Sequence, residues 1–315
     1  MKSKGLTITM VFEAESANYG EGVGNVTSLK KISRGNGESY SYISRQAMRY
    51  NLVNQMVELA GLDNLEGFKL TPVTHEGTVQ FSPDASIKDY FEIDLFGYMK
   101  TKGGEGAATR SAVARLSNAA ALETFNGDLD FLTNKGLFDR LAEKNKIKPK
   151  KTDDEETEEI KGGNIAQSEI HKSFYVYTLT VDLDKVGIDG DNTKKMEIAN
   201  SEKYNRVNLL LKAVNFLYRD IKGRRENLSP LFAVGGVYDI KNPFFMNAIK
   251  LKDHKLLVNR IKDIMDKYGI ISENTVTGYV ENTFDNDNEI KKLEPVSIKT
   301  FFETISKRLS DYYNG

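Results

Sequence analysis

Leu6, Ile8, Met10, Phe12 and Ala14 alternate with Thr7, Thr9, Val11 and Glu13 near the start of the chain. Strict period-two alternation puts the apolar set on one side of an extended backbone, which predicts a half-buried strand. Phe174–Leu183, β-branched and aromatic throughout, is the clearest further strand. Phe91, Ile93 and Leu95 alternate with Glu92 and Asp94 and read as another. Leu231–Ile240 reads as a strand broken by Gly235-Gly236, and Val113–Leu122 fits either strand or helix. Helices are expected over about 41–60, Asn200–Lys222, Asp253–Tyr268 and Ser297–Leu309. Residues 16–40 are polar and glycine-rich and read as a long loop, and Lys100–Thr109 as another. Residues 144–172 have the composition of an exposed insertion with weak order. The order βα-β-(insertion)-βαβ suggests an α+β domain of the ferredoxin-like kind carrying insertions.

Composition narrows the chemistry. The 315 residues contain no Cys, which excludes disulfides, thiolate metal sites and a Cys nucleophile. No apolar run approaches the ~18 residues of a membrane span, so a soluble, cytoplasmic protein without membrane contact is expected. A net charge of −1 argues against a uniformly basic nucleic-acid binder, but the charge is segregated. Lys30, Lys31, Arg34, Arg45 and Arg49 are accompanied by the single acid Glu38. Lys212, Arg219, Lys222, Arg224 and Arg225 are accompanied by the single acid Asp220, and Asp153–Glu159 holds six acids in seven residues.

On the helix at 41–60, Met48, Leu52, Met56 and Leu59 form one apolar stripe. Arg45 projects within that stripe and Arg49 at its edge. Two readings stay open: snorkelling or surface ion pairing, and a helix start that grips phosphate through guanidinium forks. On the helix at 200–222, Asn205, Asn208, Lys212, Asn215, Arg219 and Lys222 form an acid-free polar stripe that runs into Gly223-Arg224-Arg225. It suits a solvated face, or contact with a polyanion or subunit. Gly20, Gly22 and Gly24 do not make a dinucleotide fingerprint, and no Gly-Lys pair exists for a P-loop. His75, His171 and His254 lack metal-type spacing, and no hydrolase elbow is present, so no cofactor, metal or catalytic residue is expected. Tyr175 and Tyr177 suit core packing or base stacking.

The opening strand, the glycine-rich loop and Ile43-Ser44-Arg45-Gln46-Ala47-Met48-Arg49 entering a helix resemble the backbone subunit of CRISPR Cascade complexes. The likeness is to the DevR-type branch of the Cas seven family, found in type I-B systems. Asp94-Leu95-Phe96-Gly97-Tyr98-Met99 and Thr109-Arg110-Ser111-Ala112-Val113-Ala114-Arg115-Leu116-Ser117 are similar in the same way. So are Ser173-Phe174-Tyr175-Val176-Tyr177 and Phe232-Ala233-Val234-Gly235-Gly236-Val237-Tyr238. The resemblance covers about residues 5–245.

The resemblance implies a palm like an RNA-recognition motif, carrying long insertions. The palm would span 1–121 and 173–245, with a small finger at about 61–90 and a thumb at 122–172. A helical part at 246–315 would complete or flank it. Copies would polymerise head to tail into a helical filament along a CRISPR guide RNA, supporting pairing with target DNA in antiviral defence. Other partners would be the large subunit, the subunit capping the guide's 5′ end and the guide-processing nuclease. Ser44, Arg45, Gln46 and Arg49 would hold guide phosphates. Met99 would be a stacking wedge flanked by Lys100, Lys102 and Arg110, and Arg224 and Arg225 a basic wall. Lys30, Lys31 and Arg34 join this RNA-binding set. The rivals are an RNA-cleaving subunit of the type III kind and a structural assembly protein without nucleic acid. RNA-cleaving relatives place a catalytic Asp in the loop after the first strand, whereas here the first Asp is Asp63 and the 16–40 loop offers only Glu21 and Glu38. A non-catalytic subunit is therefore expected.

Overall fold

The computed structural model describes residues 3–65, 67–76, 78–101, 106–144, 165–190 and 195–315. The chain opens on β1 (Gly5–Ala14), followed by the hairpin β2 (Tyr19–Val23) and β3 (Val26–Leu29), then β4 (Lys31–Ser33) and β5 (Ser39–Ile43). Helix α1 (Arg45–Leu62) leads into the ribbon β6 (Val73–Glu76) and β7 (Thr78–Phe81). Next come the short helix α2 (Phe91–Phe96), the ribbon β8 (Tyr98–Lys100) and β9 (Ala108–Arg110), and the strands β10 (Ala114–Leu116) and β11 (Ala119–Ala121). An excursion of β12 (Asp128–Thr133), α3 (Lys135–Lys144) and β13 (Ile165–Ile170) precedes the long strand β14 (Ser173–Asp182). The ribbon β15 (Ile188–Asp189) and β16 (Met196–Glu197) leads to helix α4 (Asn200–Asn215), the ribbon β17 (Tyr218–Ile221) and β18 (Arg224–Asn227), and β19 (Phe232–Tyr238). The chain ends with the ribbon β20 (Leu251–Lys252) and β21 (Lys255–Leu256), then α5 (Val258–Lys267), β22 (Thr275–Tyr279), α6 (Asp287–Ile290) and α7 (Ile298–Asn314).

The main sheet runs β22-β19-β1-β14-β11-β5-β4, with β10 also on β14. Every pairing in it is antiparallel. β1 lies inside it, paired along its full length with β14 from Gly5 opposite Asp182 to Ala14 opposite Ser173. Leu6, Ile8, Met10 and Phe12 pack with Met48, Leu52 and Met56 of α1, Leu210 and Val214 of α4, and Phe301 and Ile305 of α7. All four are fully buried, and each contributes roughly 1.5–3 kcal/mol by leaving water. The strand is not half-buried as its alternation predicts. Val11 on the other face packs with Phe232, Phe245 and Phe284, so the C-terminal segment covers that side too. Thr9 is buried there because its hydroxyl pairs with that of Thr178 at 2.9 Å.

Residues 16–40 are not a loop. They form β2 to β5, with sharp turns at Gly24 (φ 62°) and Gly37 (φ 84°), where the backbone takes the left-handed form that glycine permits. β2 and β3 join β13 and β12 in a second sheet, with β13 parallel to β3. The partner strand lies some 140 residues away, with Gln167 opposite Val26, so local pattern carries no sign of it.

Phe91–Leu95 is helix rather than strand. Phe91, Ile93, Asp94, Leu95 and Phe96 are all buried, and alternation loses its meaning when an acid is buried beside its apolar neighbours. Helix α1 begins at Arg45, because residues 41–43 end β5. The helix expected to reach Lys222 stops at Asn215. Beyond it Lys222 (φ 50°) and Gly223 (φ 77°) turn the β17–β18 hairpin. A similar turn at Asp253 (φ 48°) and His254 (φ 56°) delays α5 to Val258. Val113–Leu122 is two short strands, and α7 runs on to Asn314. Gly235 and Gly236 do not interrupt β19. They let it lie against its neighbours, since a Cβ at Gly235 would strike the Thr7 carbonyl and one at Gly236 the Asn274 carbonyl. Among the described residues no helix is long and apolar enough to cross a membrane. The acidic run Asp153–Glu159 and most of the insertion expected at 144–172 lie outside the described residues.

Candidate nucleic-acid interface

The start of α1 is held from two distant loops. Ser44 is extended (φ −65°, ψ 148°), and its hydroxyl accepts from the Ala47 amide at 3.3 Å, the ordinary N-cap bond. Asn18 Oδ1, in the segment after β1, accepts from both the amide and the hydroxyl of Ser44 at 3.4 Å. Asn118 Oδ1, between β10 and β11, accepts from the Arg45 amide at 2.9 Å. The first turn contains no acid, so nothing in it offsets the positive end of the helix dipole.

Arg45 and Gln46 are exposed there. Arg49 lies over the Phe96 ring, 5.1 Å from its centroid, with Nη2 3.4 Å from Glu92 Oε1. These side chains form one wall of a groove of about 410 Å³, and Phe96, Arg115 and Leu116 form the other. Arg115 is a candidate that sequence reasoning missed, although it stands inside the Thr109–Ser117 motif. The signal was an Arg between two apolar residues of a short strand: Ala114 is buried and Arg115 faces out. Its Nη2 lies 3.1 Å from Asp182 Oδ2, while 47% of its side chain stays exposed. Burial alone would raise the Asp182 pKa, but the Arg115 hydrogen bond and charge, with Lys241 and Lys185, hold it below the usual value.

The other expected residues are scattered. Lys100 is buried, not free beside a nucleotide: its Nζ donates to the Ala85 carbonyl and sits 4.4 Å from the Tyr98 ring centroid. Burial lowers its pKa. Arg110 is also enclosed, paired with Asp94 at 2.7 Å and Asp189 at 3.5 Å and donating to the Lys185 and Ile188 carbonyls. Both are withdrawn from solvent by partners remote in sequence. Met99 between them is exposed, and Lys102 lies outside the described residues.

The expected basic wall is a set of ion pairs. Arg224 meets Glu15 at 2.6 Å and the Ser16 hydroxyl, and Arg219 meets Glu226 at 2.7 Å. Arg225 grips Asp220 through two bonds of 2.8 and 2.9 Å and lies over Tyr218. Lys212 pairs with Asp63 at 2.6 Å, and Asn208 accepts from Ser306 of α7, so the polar stripe of α4 is in part a packing face. Lys31 pairs with Glu169 at 2.9 Å and covers the Phe125 ring, tying β4 to β13. Lys30 is half-buried, and Arg34 lies over Tyr40.

Tyr175 and Tyr177 are buried core residues. Ser41 Oγ lies 2.7 Å from both His171 Nδ1 and Tyr175 Oη, a closed structural network. Burial lowers the His171 pKa. Among the described residues no three or more His, Asp or Glu side chains come together in a group that could hold a metal.

The fold and groove together define a mixed α+β protein whose open basic cleft lies where a helix leaves the edge of an antiparallel sheet. A family model described as "CRISPR-associated negative auto-regulator DevR/Csa2" matches residues 6–257, and the chain belongs to that family. Its fold is similar to a chain of a "CRISPR RNA-guided surveillance complex, pre-nicking", with a TM-score of 0.60 at 12% identity, over 97% of this chain and 100% of that one. A chain of a "CRISPR RNA-guided surveillance complex" is similar with a TM-score of 0.55 at 14% identity, over 96% and 99% of the two chains. No curated protein matches the sequence.

Proposed function

We propose that this chain is a non-catalytic backbone subunit that binds a CRISPR guide RNA by its phosphates, with the groove at the start of α1 as the grip. The observation that carries the reading is the cluster of Arg45, Gln46, Arg49 and Arg115 around a helix start with no acid in its first turn. Guanidinium groups and a helix N-terminus recognise phosphate without reading bases, as a filament on guides of any sequence requires. Base pairing by the guide then supplies specificity.

In this reading the main sheet is the ferredoxin-like palm of an RNA-recognition motif, residues 122–172 are the thumb and about 61–90 the finger. Copies stack head to tail in a type I-B Cascade with its large, capping and guide-processing subunits. The family match and the two surveillance-complex folds support the assembly. The 16–40 stretch after β1 holds no Asp and only the acids Glu21 and Glu38, which supports the lack of catalysis.

The test is binding of single-stranded RNA as a function of salt. Each phosphate contact contributes about −0.7 to the slope of log K against log[salt]. Arg45→Ala with Arg49→Ala is expected to flatten that slope and weaken binding to every sequence alike. Loss of affinity for one sequence only would mean base readout and overturn the reading. Sequencing of RNA that copurifies with the protein should return repeat-derived guides.

A further inference from the structure

The α1 groove carries an acid of its own. Helix α2 places Glu92 and Phe96 four residues apart, so both side chains lie on one face. That face meets Arg49: Nη2 lies 3.4 Å from Glu92 Oε1, and the guanidinium lies 5.1 Å from the centroid of the Phe96 ring. The other carboxylate oxygen of Glu92 accepts from the Thr71 amide at 3.3 Å, which pins the carboxylate from behind. Only 14% of the Glu92 side chain is exposed, against 34% of Arg49. The acid therefore backs the cation, and the cation faces the groove that it lines with Phe96.

The contact is a loose one. N–H···O bonds centre on about 2.9–3.0 Å, and a strong guanidinium–carboxylate pair makes two of them side by side. Arg49 and Glu92 share a single bond of 3.4 Å. Phe96 holds the guanidinium in place whether or not that bond is made, so the bond can be given up without releasing the side chain. Across the groove Arg115 is backed by Asp182, but Lys185 also pairs with that carboxylate at 3.5 Å. Among the described residues Arg49 is the one cation paired with Glu92. A phosphate oxygen reaching Arg49 takes over the same donor and the same charge, and Glu92 is left to water and the Thr71 amide.

We infer that Glu92 competes with the phosphate of the bound strand for Arg49, an autoinhibitory contact that sets the strength of the grip. The inference rests on the phosphate reading of the groove.

The test measures binding of the full chain to a labelled oligouridylate over a range of salt. Glu92→Gln removes the charge and keeps a carbonyl for the Thr71 amide. It is expected to bind the strand about two- to fivefold more tightly, the weight of one partly exposed ion pair, and to steepen the salt slope by up to about 0.7. Glu92→Met, uncharged and of similar reach, should act in the same direction, and melting temperatures confirm that the variants fold. In the Arg49→Ala background the gain from Glu92→Gln should vanish, because the two residues act as a pair. A gain of equal size in that background would make Glu92 a source of general repulsion and overturn the inference. Weaker binding by both variants would make Glu92 a support for Arg49 and overturn it as well. If both leave binding unchanged while Arg45→Ala/Arg49→Ala still flattens the slope, the competition alone falls. If that double variant also leaves the slope unchanged, the phosphate reading of the groove falls with it.

Discussion

Asp94 and Arg206 form a buried ion pair: Oδ2 and Nη1 are 2.8 Å apart, with side chains 0% and 2% exposed. Asp94 also accepts from Arg110 at 2.7 Å and from the Gly187 amide at 2.9 Å. Arg206 spends its remaining donors on Glu202 and on the carbonyls of Ile87 and Lys88. One carboxylate therefore ties α2, β9 and α4 together, and it fixes the base of the ribbon that displays Met99.

Removing one partner of such a network strands the others without water, at a cost of about 3–5 kcal/mol. Asp94→Ala is expected to lower the melting temperature on the order of 10 °C, since 1 kcal/mol is worth about 2–4 °C in larger domains. A scanning-calorimetry shift within error of zero would show that α2 and α4 are held by apolar contacts alone.

Asn118 carries no charge but supplies the acceptor for the Arg45 amide. Asn118→Ala should cost about 1 kcal/mol at the helix start. It should weaken RNA binding while leaving the salt slope unchanged, because no cation is lost. A flattened slope in this variant would mean that the positioning role is misassigned.

Arg115 links binding to acid stability. Asp182 has a folded-state pKa below its ordinary value, so it stabilises the fold above about pH 4, and that contribution disappears as pH falls through the lowered value. Arg115→Ala should raise the Asp182 pKa, weaken the pH dependence of the melting temperature in acid, and flatten the RNA salt slope by about 0.7. NMR titration of the Asp182 carboxyl would read the first effect, and an unshifted titration would contradict the pairing.

Gly235 and Gly236 sit where a Cβ meets carbonyl oxygens of Thr7 and Asn274, in backbone that has no room to yield. Gly235→Ala should destabilise by at least about 1–3 kcal/mol, the cost of overpacking a close-packed interior. Denaturant unfolding measures it. A neutral result would show that β1 and β19 can move apart.

Purified protein with Mg²⁺ or Mn²⁺ is expected to leave guide and complementary RNA intact over hours. Cleavage that Glu21→Ala abolished would identify a carboxylate chemistry in the stretch after β1 and reverse the non-catalytic proposal.

The sequence by itself determined what depends on near neighbours. Alternation from Leu6 to Ala14 determined a strand, and the Met48–Leu52–Met56 spacing determined the buried side of α1, while the start of that helix at Arg45 was set by β5, which takes residues 41–43. The same local signals marked Arg45 and Arg49 as cations at a helix start. Tertiary structure decided which charges remain available, because an ion pair depends on separation in space. Arg110 and Lys100 were claimed by Asp94 and the Ala85 carbonyl, and Arg224 by Glu15, which is 209 residues away along the chain. It also turned Phe91–Phe96 from strand to helix, since the charge that makes a buried Asp94 tolerable comes from Arg110 and Arg206. Arg115 owes its position to Asp182, brought alongside by the sheet, and no spacing within the chain encodes that proximity.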